Sequence, residues 1–137
     1  YFKVVKDSSG LLPYFRELQG CRVAEIGPGD NPVNSCYPCK TYVSASGYPN
    51  DGLTVLRKEG ERTAVVVSFG VLDDTILGGT SPAQKTRNLA RRYIEELVME
   101  IRRVTNPFSI IVGRDAEKYM GAPDIHVAGM GGVYFCK

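Results

Sequence analysis

The chain has 137 residues, enough for one domain with a real core and too few for a second catalytic domain. Its 43% hydrophobic and 23% charged residues are globular in balance, and no apolar run approaches the roughly 20 residues of a membrane-spanning helix. Seventeen Lys and Arg against 15 Asp and Glu leave a charge of +2, so any nucleic-acid-binding patch has to be local.

Tyr1-Phe2-Lys3-Val4-Val5 carries neither an initiator Met nor a signal-peptide pattern, and is read as the start of a single domain, 1–137, cut from a longer chain. No repeat is visible, and apolar runs rich in branched residues alternate with stretches of helical period, which means α/β. Leu11, Leu12, Phe15 and Leu18 predict a short amphipathic helix over Ser9–Leu18 behind a Ser-Ser start, with Pro13 confined to an early turn. It is expected to pack under the strand Arg22–Ile26, which the turn Gly27-Pro28-Gly29-Asp30-Asn31-Pro32 stops. Thr41–Ser44 reads as a weaker strand and Gly52–Glu59 as a short helix. Thr63–Phe69, apolar on both faces, predicts a central parallel strand.

A long helix is predicted over Pro82–Val104, with Ser81 as N-cap and Pro82 in the first turn. Ala90, Ile94, Leu97, Val98, Ile101 and Val104 form its core stripe, and Arg91–Glu95 and Arg92–Glu96 sit four apart on the wet side. Lys85, Arg87, Arg91, Arg92, Arg102 and Arg103 raise RNA binding, but the interspersed glutamates favour a solvated face. Asn106-Pro107 is expected to end the helix before a strand at Phe108–Val112. A polar segment, Arg114–Pro123, then leads to two strands, Ile125–Ala128 and Val133–Cys136, close enough for an antiparallel hairpin on the sheet edge.

Four cysteines, Cys21, Cys36, Cys39 and Cys136, are too sparse for a small secreted disulfide framework, so the expected setting is the reducing cytoplasm. Cys36-Tyr-Pro-Cys39 has the gap that lets two thiolates reach one ion, but zinc wants four ligands and no second pair has that spacing. No metal site is assigned, and incidental thiols, a structural zinc and a redox pair stay open. His126, the single histidine, reads either as a structural residue or as a ligand or base.

In an open parallel sheet a ligand sits at the carboxyl ends of the strands, which points at the Gly27–Asn31 turn. Paired glycines after a buried strand let backbone N–H groups approach a ligand, and Glu25 can accept from a charged amine. The turn lacks the third glycine of a dinucleotide fingerprint and the Gly-Lys-Ser/Thr of a phosphate loop. Val23-Ala24-Glu25-Ile26-Gly27-Pro28-Gly29-Asp30-Asn31-Pro32 resembles motif I of the class I S-adenosylmethionine-dependent methyltransferases. Val66–Asp74 is similar to that family's fourth strand and loop, and Glu100–Phe108 to the helix end before its fifth strand. The resemblance covers roughly Cys21–Lys137. It implies a mostly parallel Rossmann-like sheet with helices on both faces and the C-terminal hairpin as the reversed strands at the edge.

By that resemblance Glu25, Gly27, Pro28, Gly29 and Asp30 face the amino-acid end of S-adenosylmethionine, and Ser68, Phe69 and Gly70 line the methyl-sulfonium region. Where the family places Asp or Glu to clamp the ribose, this chain offers Ser44-Ala45-Ser46, and neutral serines clamp less strongly. The short interval before Thr63 implies that the family's third strand is missing, with Asn50 or Asp51 as substitutes for its acidic loop. Asp73 and Asp74 read either as groups that orient or deprotonate an acceptor or as turn and cap residues. Of a cap-ribose methyltransferase's Lys-Asp-Lys-Glu tetrad, Lys6 and Asp73 fill two places and Arg114 replaces a lysine poorly.

The expected function is methyl transfer from S-adenosylmethionine to a small molecule or RNA. The alternative is a methyltransferase-like domain without catalysis, serving as a scaffold for its parent chain or a protein partner; no membrane partner is expected.

Overall fold

Thr63–Val67 (β3) is buried at all five positions, as a β-branched run flanked by neighbours on both sides must be. The computed structural model describes residues 11–28, 32–45, 51–60, 62–67, 71–72, 84–113, 115–127, 129 and 131–136, with side chains of the long helix from residue 88 onward. Around β3 lie β1 (Arg22–Ile26), β2 (Thr41–Ala45), β4 (Thr105–Val112), β5 (Ile125–His126) and β6 (Gly131–Phe135) in one sheet of order β2-β1-β3-β4-β6-β5. The first four strands in that order are parallel, and β6 runs against both β4 and β5.

The helices are α1 (Leu12–Glu17), α2 (Val33–Cys36), α3 (Gly52–Lys58), α4 (Gln84–Val104) and α5 (Ala116–Met120), with a 3₁₀ turn at Leu18–Gly20. Leu11, Phe15, Leu18 and Val33 pack on Val23, Ala64, Val66, Phe108 and Ile110, on one face of the sheet. Val55, Leu56, Ile94, Leu97, Ile101 and Ala116 pack on Ala24, Ile26, Val65, Val67 and Ile111, on the other. Connections of one hand explain the division. The chain steps one way from β1 to β2 and the opposite way from β2 across to β3 and β4, so the crossover helices land on opposite faces.

The predicted stripe of the long helix is its buried face, from Ala90 at 6% exposure to Val104 at 0%. Its wet side is less passive than predicted. Arg103 donates to the carbonyls of Leu56 and Glu59 at 2.9 and 3.2 Å, serving the end of α3, and Arg102 donates to the Met120 carbonyl at 3.1 Å. Glu96 lies 3.6 Å from Arg57 on α3.

Several boundaries differ from the sequence reading. The residue capping α1 is Leu11, and no side-chain oxygen caps it; residues up to 10 are outside the described set. Helix α4 ends at Val104 and β4 starts at once at Thr105, ahead of Asn106-Pro107. Thr63 pairs with Thr105 and Val65 with Ser109, so two steps of β3 face four of β4, and this bulge takes up the proline. Helix α5 lies inside the supposed polar segment; five residues with two buried positions give too little periodicity to read.

The C-terminal hairpin forms, but β6 is inserted between β4 and β5, and it alone is reversed. Between β2 and β3 the described residues contain α3 and no strand, which leaves β2 at the edge. Among the described residues no helix is long and apolar enough to cross a membrane.

Candidate functional site

The chain leaves β1 toward one edge and β3 toward the other, so the crevice beyond their carboxyl ends is the point where strand order reverses. Gly27 and Pro28 lie there. The Gly27 N–H donates to the Ala45 carbonyl at 2.8 Å, extending the β1–β2 ladder by one bond. Gly27 then turns at φ 70°, a left-handed conformation that costs an L side chain about 1–2 kcal/mol.

Glu25 lies two residues before Gly27 and is fully buried on the α1–α2 face. Its Oε1 accepts from the Val33 N–H at 2.8 Å and the Tyr42 hydroxyl at 2.5 Å. Its Oε2 is buried with no hydrogen-bond partner among the described residues. Burial pushes the carboxyl above its ordinary value, and the bonds from Tyr42 and Val33 pull the other way. Burial also raises the Tyr42 phenol, with the bond to Glu25 adding to it. Tyr42 is the residue the sequence reading missed; its strand position, two residues before Ser44 on the same face, is the available signal.

Ser44 pairs in register with Glu25 and is exposed on the edge strand. Asp51 is engaged as the cap of α3: it accepts from Leu53 N–H at 3.2 Å, Thr54 Oγ1 at 2.5 Å and the Tyr93 hydroxyl at 2.8 Å. The Thr54 bond, with help from Tyr93, holds its carboxyl below the usual range. A carboxylate with those partners is the N-cap of α3. Gly29, Asp30, Ser46, Asn50, Ser68, Phe69, Gly70, Asp73, Asp74, Lys6 and Arg114 lie outside the described residues.

Cys21 and Cys39 pack against the same core, and Cys21 adds to the upward shift of the Cys39 thiol. All four cysteines are thiols, and no group of three or more His, Cys, Asp or Glu suited to a metal occurs among the described residues. Asn34 Oδ1 accepts from the Cys39 N–H at 2.8 Å, so the Cys36–Cys39 segment is a turn held by a side chain. Burial, then the charge of Glu25, pushes the Cys39 thiol up to about 11, so it stays protonated near neutrality. His126 lies on the far edge strand with Nδ1 3.4 Å from Glu117 Oε1.

Two buried glutamates give opposite pH signatures. Arg22 Nε and Nη2 donate to Glu59 at 2.6 and 2.8 Å and hold its carboxyl low, so that contribution is present above the unfolded glutamate range and lost as pH falls through the folded value. Glu25 is raised, so its contribution is present at low pH and lost as pH rises through its folded value. Glu25→Gln keeps an acceptor for Val33 and Tyr42 but cannot ionise. Urea midpoints from pH 4 upward are therefore expected to show the wild type falling relative to Glu25→Gln, beginning above about pH 4.3. Parallel profiles would disprove the assignment.

No protein-family model, curated protein or solved structure matches this chain.

Proposed function

We propose that the chain is a small S-adenosylmethionine-dependent methyltransferase domain of the class I kind, with the donor in the crevice beyond β1 and β3. The observation that carries this reading is the left-handed turn at Gly27 above Glu25, whose buried Oε2 has no hydrogen-bond partner among the described residues, at the topological switch point. The donor set suits the amino-acid end of the ligand: a side-chain-free backbone for close approach, and a carboxyl oxygen for an ammonium group. The neutral Ser44 hydroxyl remains for the ribose. When bound, S-adenosylmethionine supplies an electrophilic methyl group; this chain's residues hold it in line with the acceptor, where orientation carries much of the rate. Ser68, Phe69 and Gly70 flank the methyl group in this reading, and Asp73 and Asp74 orient the acceptor, a small molecule or RNA.

Titration calorimetry with S-adenosylmethionine and S-adenosylhomocysteine tests the proposal. Micromolar binding is expected, with Gly27→Ala at least about tenfold weaker because a Cβ obstructs the close backbone approach, while the left-handed strain shows as a stability loss of about 1–2 kcal/mol. Melting curves of the variant establish that it remains folded.

The engagement of Asp51 with Thr54, Leu53 and Tyr93 favours a second reading, a methyltransferase-like scaffold for a parent chain or protein partner. It predicts no heat and no thermal shift with either compound. Of the basic residues considered for RNA, Arg102 and Arg103 make bonds inside the molecule, which removes part of their capacity for a phosphate.

A further inference from the structure

At the opposite end of the sheet from the crevice, a cavity of about 250 Å³ opens between the C-terminal ends of α4 and α5 and the strands β4 and β6. Arg102, Ser109, Met120, Asp124, Tyr134 and Cys136 are among its lining residues. We propose that this cavity binds a small amino-carboxylate zwitterion, a molecule of free amino-acid size, through Arg102, Asp124 and Ser109.

Ser109 provides the first argument. It is 1% exposed, and its hydroxyl is buried without a hydrogen-bond partner among the described residues, an unfavourable state that a native fold tolerates where something else completes the bond. Other hydroxyls around the cavity are satisfied: Thr105 donates to the Ile101 carbonyl at 2.5 Å and Tyr134 to the Gly121 carbonyl at 2.8 Å. Ser109 lies on the strand face that carries Ile111, toward α4 and α5, and pairs across the ladder with Tyr134.

Charge supplies the second. Arg102 and Asp124 line one cavity but are not an ion pair among the described residues. The Arg102 guanidinium is anchored by one bond to the Met120 carbonyl, and Asp124 Oδ2 accepts from the Phe135 N–H at 2.9 Å. Each charge is thus fixed in place by the backbone while retaining further donor or acceptor capacity. A dianion would be repelled by Asp124 and a plain amine by Arg102, whereas a zwitterion satisfies both. The volume is below the usual range for drug-sized ligands, about 300–1,000 Å³, which sets the size class. Because Thr105 begins β4 and Cys136 follows β6, this site lies at the amino ends of the parallel strands and does not depend on the methyl-transfer reading.

The test uses the full chain with alanine, serine and leucine, each compared with its deaminated acid and its decarboxylated amine, in calorimetry. Alkylation of the exposed Cys136 thiol reports location. Expected are amino acids that bind at least about tenfold more tightly than either truncated analogue and that slow alkylation of Cys136. Ser109→Ala should melt at or above the wild-type temperature, since it deletes an unpartnered hydroxyl, yet bind at least about tenfold more weakly. Asp124→Asn should erase the preference over the deaminated acid, and Gly27→Ala should leave this binding unchanged. Equal affinity for amino acids and deaminated acids, unprotected Cys136, unchanged affinity in Ser109→Ala, or no binding would each overturn the proposal.

Discussion

Gly132→Ala is expected to cost more than about 4 kcal/mol, a large part of the roughly 5–15 kcal/mol of a domain's stability. A Cβ there would come 1.7 Å from the Ile125 carbonyl oxygen and 2.9 Å from its carbon, at φ +154°. The obstacle is backbone, so no rotamer change relieves it. Moving Ile125 away breaks the β5–β6 pairing, and moving β6 away breaks the pairing of Gly132 with Ile111 on β4. Because β6 is interior to the sheet, damage propagates to both neighbours. Urea unfolding followed by far-ultraviolet circular dichroism measures the loss. Gly20→Ala is the control, as its Cβ meets nothing within 4 Å; equal midpoints for the two variants would refute the inserted position of β6.

Phe15→Ala is the second large effect, about 3–5 kcal/mol for truncating a fully buried phenylalanine. Phe15 is 0% exposed and stacks on Tyr37 with centroids 5.6 Å apart and 25° between the planes. Tyr37 terminates α2, whose first N–H, on Val33, is bound by Glu25. Phe15 therefore supports the layer beneath the Gly27 turn as well as the docking of α1. The same variant is expected to weaken S-adenosylmethionine binding at temperatures where it is still folded. Truncation that shifts stability by less than about 1 kcal/mol would show that α1 packs loosely on the sheet. Affinity unchanged in the folded variant would separate the helix layer from the crevice.

Elements with strong periodicity were readable in advance. Arg22–Ile26, Thr63–Val67 and the 90–104 stripe of α4 declare themselves because burial on a strand or a long helix repeats along the chain. Gly27 was legible for the same reason, as a break that ends an apolar run. Shorter elements escaped: α2 and α5 span four and five residues, less than two turns, and their existence depends on what covers them. The turn at Gly27 was legible, whereas the partners that Glu25 and Asp51 find in Tyr42 and Tyr93 were not. Tyr42 meets Glu25 across 17 positions and Tyr93 meets Asp51 across 42, distances over which no local pattern acts.

Residue order alone determined the alternation of strand and helix, the core stripe of α4 and the glycine turn after β1. Each arises from local propensity and from the period at which apolar side chains recur. Tertiary structure decided the insertion of β6 between β4 and β5, the bond from Tyr93 to Asp51, and the turning of Arg102 and Arg103 back onto carbonyls of the fold. It also left the Ser109 hydroxyl and Glu25 Oε2 buried without partners among the described residues. Hydrogen-bond partners are assigned by which elements meet in space, and that is settled by packing two helical layers on one twisted sheet.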